Sequence, residues 1–542
     1  MDLARLLATY ATQAGRCAWP RQRLLHESLR AAIRDGTLAA GTRLPASRTL
    51  AEELNMARNT VLYAYEQLAS EGFVTCDRRG TVVALLMAAA PAARTAAGAV
   101  AAGASGTGTD SGTGPASMAG GIASPTGSSG ASQAAAPSPA MESAASLSQR
   151  ARNLRQLNGA AQRMGAFVPG VPALDQFPLA LWRRLVDRAW RTLTPQQLNY
   201  GDPCGAAELR AAIADHLRAA RGVVCEAGQV FITDGAQSGL DLCLRALADA
   251  GDTIWLENPG YGGALAAARG AGLVVSGIDV DDDGIAPTAD DWLLLPPRLV
   301  YTTPSHQYPV GSVLSLRRRL ALIEAARSAG ALIIEDDYDS EFRHDGAPLS
   351  AMQGLTPEAP VVYLGTFSKT MFPGLRIGFV VVPHALAPAF SAMRAQSYAG
   401  GRTAEQLALA EFLRSGQFAR HVRRMRRLYR QRRDALVAAL ARHLGSVATV
   451  HGASAGMHLS LRLRDQALDD AAIGAQALAE GVVVNALSRH DTHGSSGWKG
   501  LMLGYAQVPA QEMDDLVRRL AAVIHLAAYT ARRQAAQQAR KP

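Results

Sequence analysis

The stretch "VVYLGTFSKTMFPGLRIG", residues 361–378, sets one lysine, Lys369, after an apolar run and before a segment closed by Pro373, Gly374 and Gly378. The apolar run reads as a buried strand and the Pro/Gly cluster as a turn. Upstream, "LIIEDDYDSEF", residues 332–342, is a second apolar run that delivers carboxylates at its C-terminal end. Similar runs ("GQVFITDGA", "DTIWLENP", "PRLVYTTPSH", "IGFVVVP") alternate with helical stretches such as "GAQSGLDLCLRALADA" and "LRRRLALIEAARSAG". That rhythm predicts an α/β fold with a mostly parallel, doubly wound sheet, whose adjacent strand ends open into one crevice. Asp336 and Lys369 are then expected to face one ligand.

An amine becomes a useful nucleophile when its surroundings lower its pKa or when it is held as a Schiff base. A carboxylate beside a pyridine nitrogen keeps that nitrogen protonated, and a lysine bonds an aldehyde carbon. Those are the two demands of pyridoxal 5'-phosphate (PLP), and Tyr338 is placed to bond the ring's phenolic oxygen. For the phosphate, "TDGAQSGLDL" sets Gly235, Ala236 and Gln237 at a strand-to-helix junction, where free N–H groups and the helix dipole favour an anion. Ser368 and Arg376 add a hydroxyl and a fixed charge. Tyr261 in "ENPGYGG" is a candidate to stack on the pyridine face, and Tyr200 in "LNYGDPCG" to reach a phosphate in its own or a partner subunit. Singly, each has a simpler reading: a surface lysine, a solvated strand end or magnesium site for Asp336-Asp337, a plain helix start, a core tyrosine. Their order along the chain, each at a strand end of one body, favours the joint reading.

The chain's 542 residues imply two or more domains. With 48% hydrophobic and 19% charged residues and no apolar run near the roughly 20 residues that span a bilayer, no membrane protein is expected. The first residues lack a basic region followed by a long apolar one, and the five cysteines are scattered, so a reduced cytoplasmic protein without a secretory signal is expected. A net charge of +9 permits nucleic-acid contact and equally fits solubility. Residues 86–150 are almost wholly Ala, Gly, Ser, Thr and Pro, the composition of a long disordered tether. They divide an N-terminal module, residues 1–85, from a body, residues 151–542. Near the end of the body, "RHVRRMRRLYRQRRDALVAALARHL" predicts one long helix leading into a smaller lobe, with its arginines on a solvated face. His490 and His493 sit in a Gly/Ser loop, and no metal site is expected there.

In the module, Leu25, Leu29 and Ile33 recur every four residues and Gly36 stops the helix. In "LPASRTLAEELNMARNTVLYAYEQLASEGFV", Ser47 is the expected N-cap of a second helix. Asn55 and Met56 make a tight turn, and residues 57–70 form a third helix with Val61, Tyr65 and Leu68 inward. Two short helices across a short turn are helix-turn-helix geometry, and Arg58, Asn59 and Thr60 open the helix that would enter a DNA groove. "GFVTCDRRGTVVA" adds two strands around a basic tip with Arg78, Arg79 and Gly80.

Residues 19–84 resemble the winged helix-turn-helix of the GntR family of bacterial repressors. The resemblance implies DNA-facing positions at Arg48, Arg58, Asn59, Thr60, Arg79 and Gly80. Residues 167–523, with Tyr200, Gly235 to Gln237, Tyr261, "TPSHQYPVG", Asp336 with Tyr338, Ser368-Lys369 and Arg376 in that order, resemble the fold type I aminotransferases. Together the two halves resemble the MocR subfamily of regulators, which includes GabR-like and PdxR-like proteins. That resemblance implies a homodimer, commonly head-to-tail with exchanged DNA-binding domains, on a two-part operator in double-stranded DNA. It implies Lys369 as the internal aldimine and Arg489 as the holder of an effector carboxylate. Gly262 and Gly263 stand where the GabR-like pattern has basic residues, which argues against a GABA-type effector and leaves an α-amino acid or PLP itself. Two readings follow: a regulator that responds to PLP or to an amine joined to it, and a working aminotransferase with an appended DNA-binding domain.

Overall fold

The computed structural model describes residues 3–12, 21–34, 36–70, 72–77, 80–84, 165–345, 349–398, 400–494 and 496–538. The tether expected at 86–150, and Arg78 and Arg79 at the tip of the wing, lie outside the described residues.

The module consists of helices α1 (Leu3–Thr12), α2 (Arg21–Arg34), α3 (Ser47–Glu53) and α4 (Arg58–Ser70), followed by β1 (Val74–Asp77) and β2 (Gly80–Val83) paired antiparallel. The four-residue spacing works as expected: Leu25, Leu29 and Ile33 on α2 and Val61, Tyr65 and Leu68 on α4 are all buried. Asn55, between α3 and α4, takes a left-handed conformation with φ 47°, which asparagine tolerates better than most residues. Ser47 is not the cap expected of it. It is the first residue of α3, Ala46 occupies the cap position, and no side chain bonds there. Helix α1 went unread, because its residues lie before the pattern that marks the module.

The body is built on an eight-stranded sheet of β3 (Val230–Thr233), β4 (Thr253–Asn258), β5 (Val274–Asp281), β6 (Gly284–Ile285), β7 (Leu299–Thr302), β8 (Leu332–Asp337), β9 (Val361–Thr366) and β10 (Gly378–Val381). Its spatial order is β3-β10-β9-β8-β7-β4-β5-β6. Strands β5, β4, β7, β8 and β9 run parallel, while β10 is antiparallel to both β9 and β3. Strands covered on both faces read as continuous apolar runs, and every residue of β3, β7, β9 and β10 is buried. The helix Gln417–Leu444 leads to the smaller lobe, a four-stranded antiparallel sheet of β11 (Ala448–His451), β12 (His458–Leu463), β13 (Asn485–Ala486) and β14 (Gly500–Gly504). Its arginines are not simply solvated: Arg426, Arg430, Arg432 and Arg433 donate to the carbonyls of Glu341, His344, Ala506 and Ala453. They fasten the helix to both lobes.

Candidate functional site

Strands β8 and β9 are neighbours, and their C-terminal ends bring Asp336 and Lys369 to one cavity of about 210 Å³. Ala236, Gln237, Tyr261, Tyr338, Ser368 and Arg376 line the same cavity, so most of the expected site converges.

Lys369 is half-buried, and its Nζ donates to the carbonyl of Gly170 at 2.8 Å. Burial lowers its pKa, against the pull of the Asp339 and Asp336 carboxylates. Gly170 has φ 75°, and a Cβ there would stand 2.8 Å from Nζ, so glycine lets the backbone approach the amine. Asp336 Oδ2 accepts from the Tyr301 hydroxyl at 2.6 Å, while its Oδ1 is buried with no partner among the described residues. Burial pushes the Asp336 carboxyl up to about 7, with the Tyr301 hydrogen bond opposing. An orphaned buried acceptor is costly unless a donor arrives, so the site is built for an N–H on its ligand.

At the opposite end, Gly235 caps the N-terminus of the helix Ala236–Leu247 with φ 89°. A Cβ at Gly235 would fall 2.9 Å from Arg376 Nη2, so the missing side chain makes room for the guanidinium. Arg376 donates to the carbonyl of Asp234 at 2.7 Å, and Arg402 bonds both the Asp234 carboxylate and the Arg376 carbonyl. Helix N–H groups, Ser368 and a braced arginine together form an anion site. Tyr261 donates to Gln237 Oε1 at 3.2 Å, and its ring meets Tyr308 edge-on at 5.5 Å between centroids.

Three expectations need adjustment. Tyr338 lines the cavity, but its hydroxyl already donates to the His306 carbonyl at 2.8 Å. Tyr200 is 86% exposed and does not line the cavity of its own chain, which leaves only the partner-subunit half of its reading. Arg489 is exposed on the turn Leu487–His490 and does not line the cavity either. Sequence reasoning missed Gly170, Tyr301 and His458, which reach the cavity from other segments. His458 belongs to a buried group with His306 and Asp339. The two imidazoles lie 4.5 Å apart and tilted by 38°, and one ligand atom from each of the three residues lies within 4.8 Å of the others.

On the module, Arg48, Arg58, Asn59 and Gly80 are exposed and Thr60 is half-buried at the start of α4, a polar face open to a large partner. Residues 22–83 match the family described as bacterial regulatory proteins, gntR family, and residues 174–520 match aminotransferase class I and II. The chain is 38% identical over 509 residues to the probable rhizopine catabolism regulatory protein MocR of Rhizobium meliloti, covering 92% of this chain and 93% of that one. It is 31% identical over 417 residues to the pyridoxine biosynthesis transcriptional regulator PdxR of Corynebacterium glutamicum, covering 76% of each. Among solved structures, the α-aminoadipate aminotransferase LysN of Thermus thermophilus, complexed with N-(5'-phosphopyridoxyl)-L-leucine, superposes with a TM-score of 0.62 at 27% identity, over 71% of this chain and 96% of LysN. A GntR-type winged helix-turn-helix joined to a class I and II aminotransferase fold, in a chain alike end to end to MocR, places this protein in the MocR subfamily of GntR-family regulators.

Proposed function

We propose that this protein is a DNA-binding transcriptional regulator whose operator affinity responds to PLP, or to a primary amine that competes with Lys369 for it. The observation that carries the reading is the buried Oδ1 of Asp336, without a partner among the described residues, in the same pocket as Lys369. That oxygen suits a protonated pyridine nitrogen, Lys369 suits the aldehyde carbon, and Ser368, Arg376 and the N–H groups after Gly235 suit the phosphate. When bound, PLP supplies an electron-withdrawing ring and an aldehyde with which primary amines condense. The chain's own part is to hold and orient. Burial favours the neutral Lys369 amine, Tyr301 fixes the Asp336 carboxyl, and Tyr261 and Tyr308 wall the ring's side of the cavity.

The relatives' roles in rhizopine catabolism and pyridoxine biosynthesis support control of a catabolic or vitamin B6 pathway by a cytoplasmic, DNA-bound protein. A homodimer, head-to-tail, is part of the reading. Leu179, Trp190, Leu198 and Tyr200 are all exposed, and a second copy covering them would bury a costly apolar surface and bring Tyr200 to the partner's phosphate site.

The test is fluorescence anisotropy on the DNA upstream of the protein's own gene at fixed salt, with cofactor-free protein, PLP-loaded protein and Lys369→Ala given PLP. The native affinity should change about fivefold or more with PLP, the range of a typical coupling, and the variant should not respond. Steady transamination with a keto acid and no specific DNA binding would make the protein an enzyme instead.

A further inference from the structure

The described module and body belong to one compact unit, and the path between them begins at the cofactor carboxylate. Strand β8 carries Glu335, Asp336 and Asp337 in succession, and alternation sends Asp336 to the cavity and its neighbours the other way. Asp337 Oδ2 accepts from Arg221 Nε at 2.8 Å and from the Tyr363 hydroxyl at 2.5 Å. Arg221 also donates to the carbonyl of Leu349, and its own carbonyl accepts from the Ala351 N–H at 2.9 Å. Glu335 accepts from the N–H groups of Met352 at 2.9 Å and Gln353 at 3.2 Å. Residues 349–353 therefore hang by their backbone from the two carboxylates that flank Asp336.

The same segment touches the DNA-binding module. Ser350 Oγ accepts from Arg30 Nη1 on α2, and a Cβ on Gly222, next to Arg221, would stand 3.3 Å from that nitrogen. A cavity of about 210 Å³ lies beside the polar contact, between Ala69, Gly72 and Phe73 of the module and Leu316, Ser350 and Leu355 of the body, within a buried apolar cluster that the two share. Arg30 keeps an ion pair with Glu27 of its own helix at 2.8 Å, so parting from Ser350 strands no charge. With a neutral acceptor and a retained counter-ion, this hydrogen bond is one that can part and re-form without leaving a bare charge. The docked module meanwhile leaves Arg58 and Asn59 exposed, so docking is compatible with holding DNA.

We propose that residues 349–353 are the coupling segment of the protein: occupancy of the pocket at Asp336 is passed through Glu335, Asp337 and Arg221 to this segment, which sets how firmly the module docks through Arg30 and Ser350. This rests on the reading of the pocket as a PLP-responsive sensor. Two discrete states, docked and undocked, are what such coupling requires, and the bound state must differ in its contacts with each.

Arg221→Ala leaves Asp337 buried without its counter-ion and is expected to compromise folding, so the test uses Arg30→Gln, Ser350→Ala and their double variant in the full chain. Each should take up PLP with native visible absorbance. The ratio of DNA affinities with and without PLP should fall from about fivefold or more to within about twofold of unity, the double variant adding nothing to either single. Variants that keep the native ratio overturn the proposal. Backbone hydrogen exchange at Ala351, Met352 and Gln353, with and without PLP, separates it from the sensor reading. If exchange there responds to PLP while native DNA affinity does not, the link from pocket to segment holds and the regulator reading fails. If DNA affinity responds while exchange does not, the regulator stands and this route is wrong.

Discussion

Asp336 is held in a state that only a ligand relieves. Its folded carboxyl keeps a proton up to about pH 7, whereas in the unfolded chain it ionises near 3.8. The native state binds the extra proton, so stability falls as pH rises through that window, by at most about 4 kcal/mol, with the full cost present above about pH 7. Asp336→Asn removes the cost: cofactor-free variant should melt above the native protein at pH 8, the difference should vanish near pH 4, and PLP uptake should be lost. Equal melting temperatures at both pH values, by calorimetry, would show that the carboxyl is not strained. At this scale the sequence was informative where a residue ends a strand of the parallel sheet, as Asp336 and Lys369 do, because strand order alone brings such residues together. It was silent on Gly170, Tyr301 and His458, whose place at the pocket depends on packing between distant segments. It could not place Arg489, exposed on the small lobe's turn, because likeness of local sequence does not fix which way a turn faces.

Among the elements, the helix Gln417–Leu444 joins the two lobes and carries arginines whose destinations periodicity cannot give. The repeat shows the apolar face, with Val422, Met425, Tyr429 and Leu436 buried, but the carbonyls that receive the arginines come from far along the chain. Arg432 is buried and donates to the carbonyl of Ala506, whereas Arg427 is exposed. Arg432→Ala should lower unfolding stability by about 1–3 kcal/mol, leaving a buried carbonyl unpaired, and Arg427→Ala should stay within about 0.5 kcal/mol. Denaturant melts of the two variants check this; equal effects would return the whole run to the role of a solvated face. The module's helices were legible for the same reason as this one, an apolar stripe at helical spacing. Ser47 shows the limit of that legibility, since a residue of cap type one position inside the helix caps nothing.

For the whole molecule, the account joins a polar DNA-facing surface on the module to an anion-and-amine pocket in the body through one strand, β8, that serves both. Two domains in one chain do not by themselves make a sensor, because a ligand shifts a conformational equilibrium only as far as it binds the two states differently. The most direct measurement is a PLP titration of cofactor-free protein on fluorescent upstream DNA, reading visible cofactor absorbance and anisotropy in the same cuvette. The account predicts that both signals move together and saturate at the same PLP concentration. Cofactor absorbance that saturates while anisotropy on specifically bound DNA stays flat would contradict it.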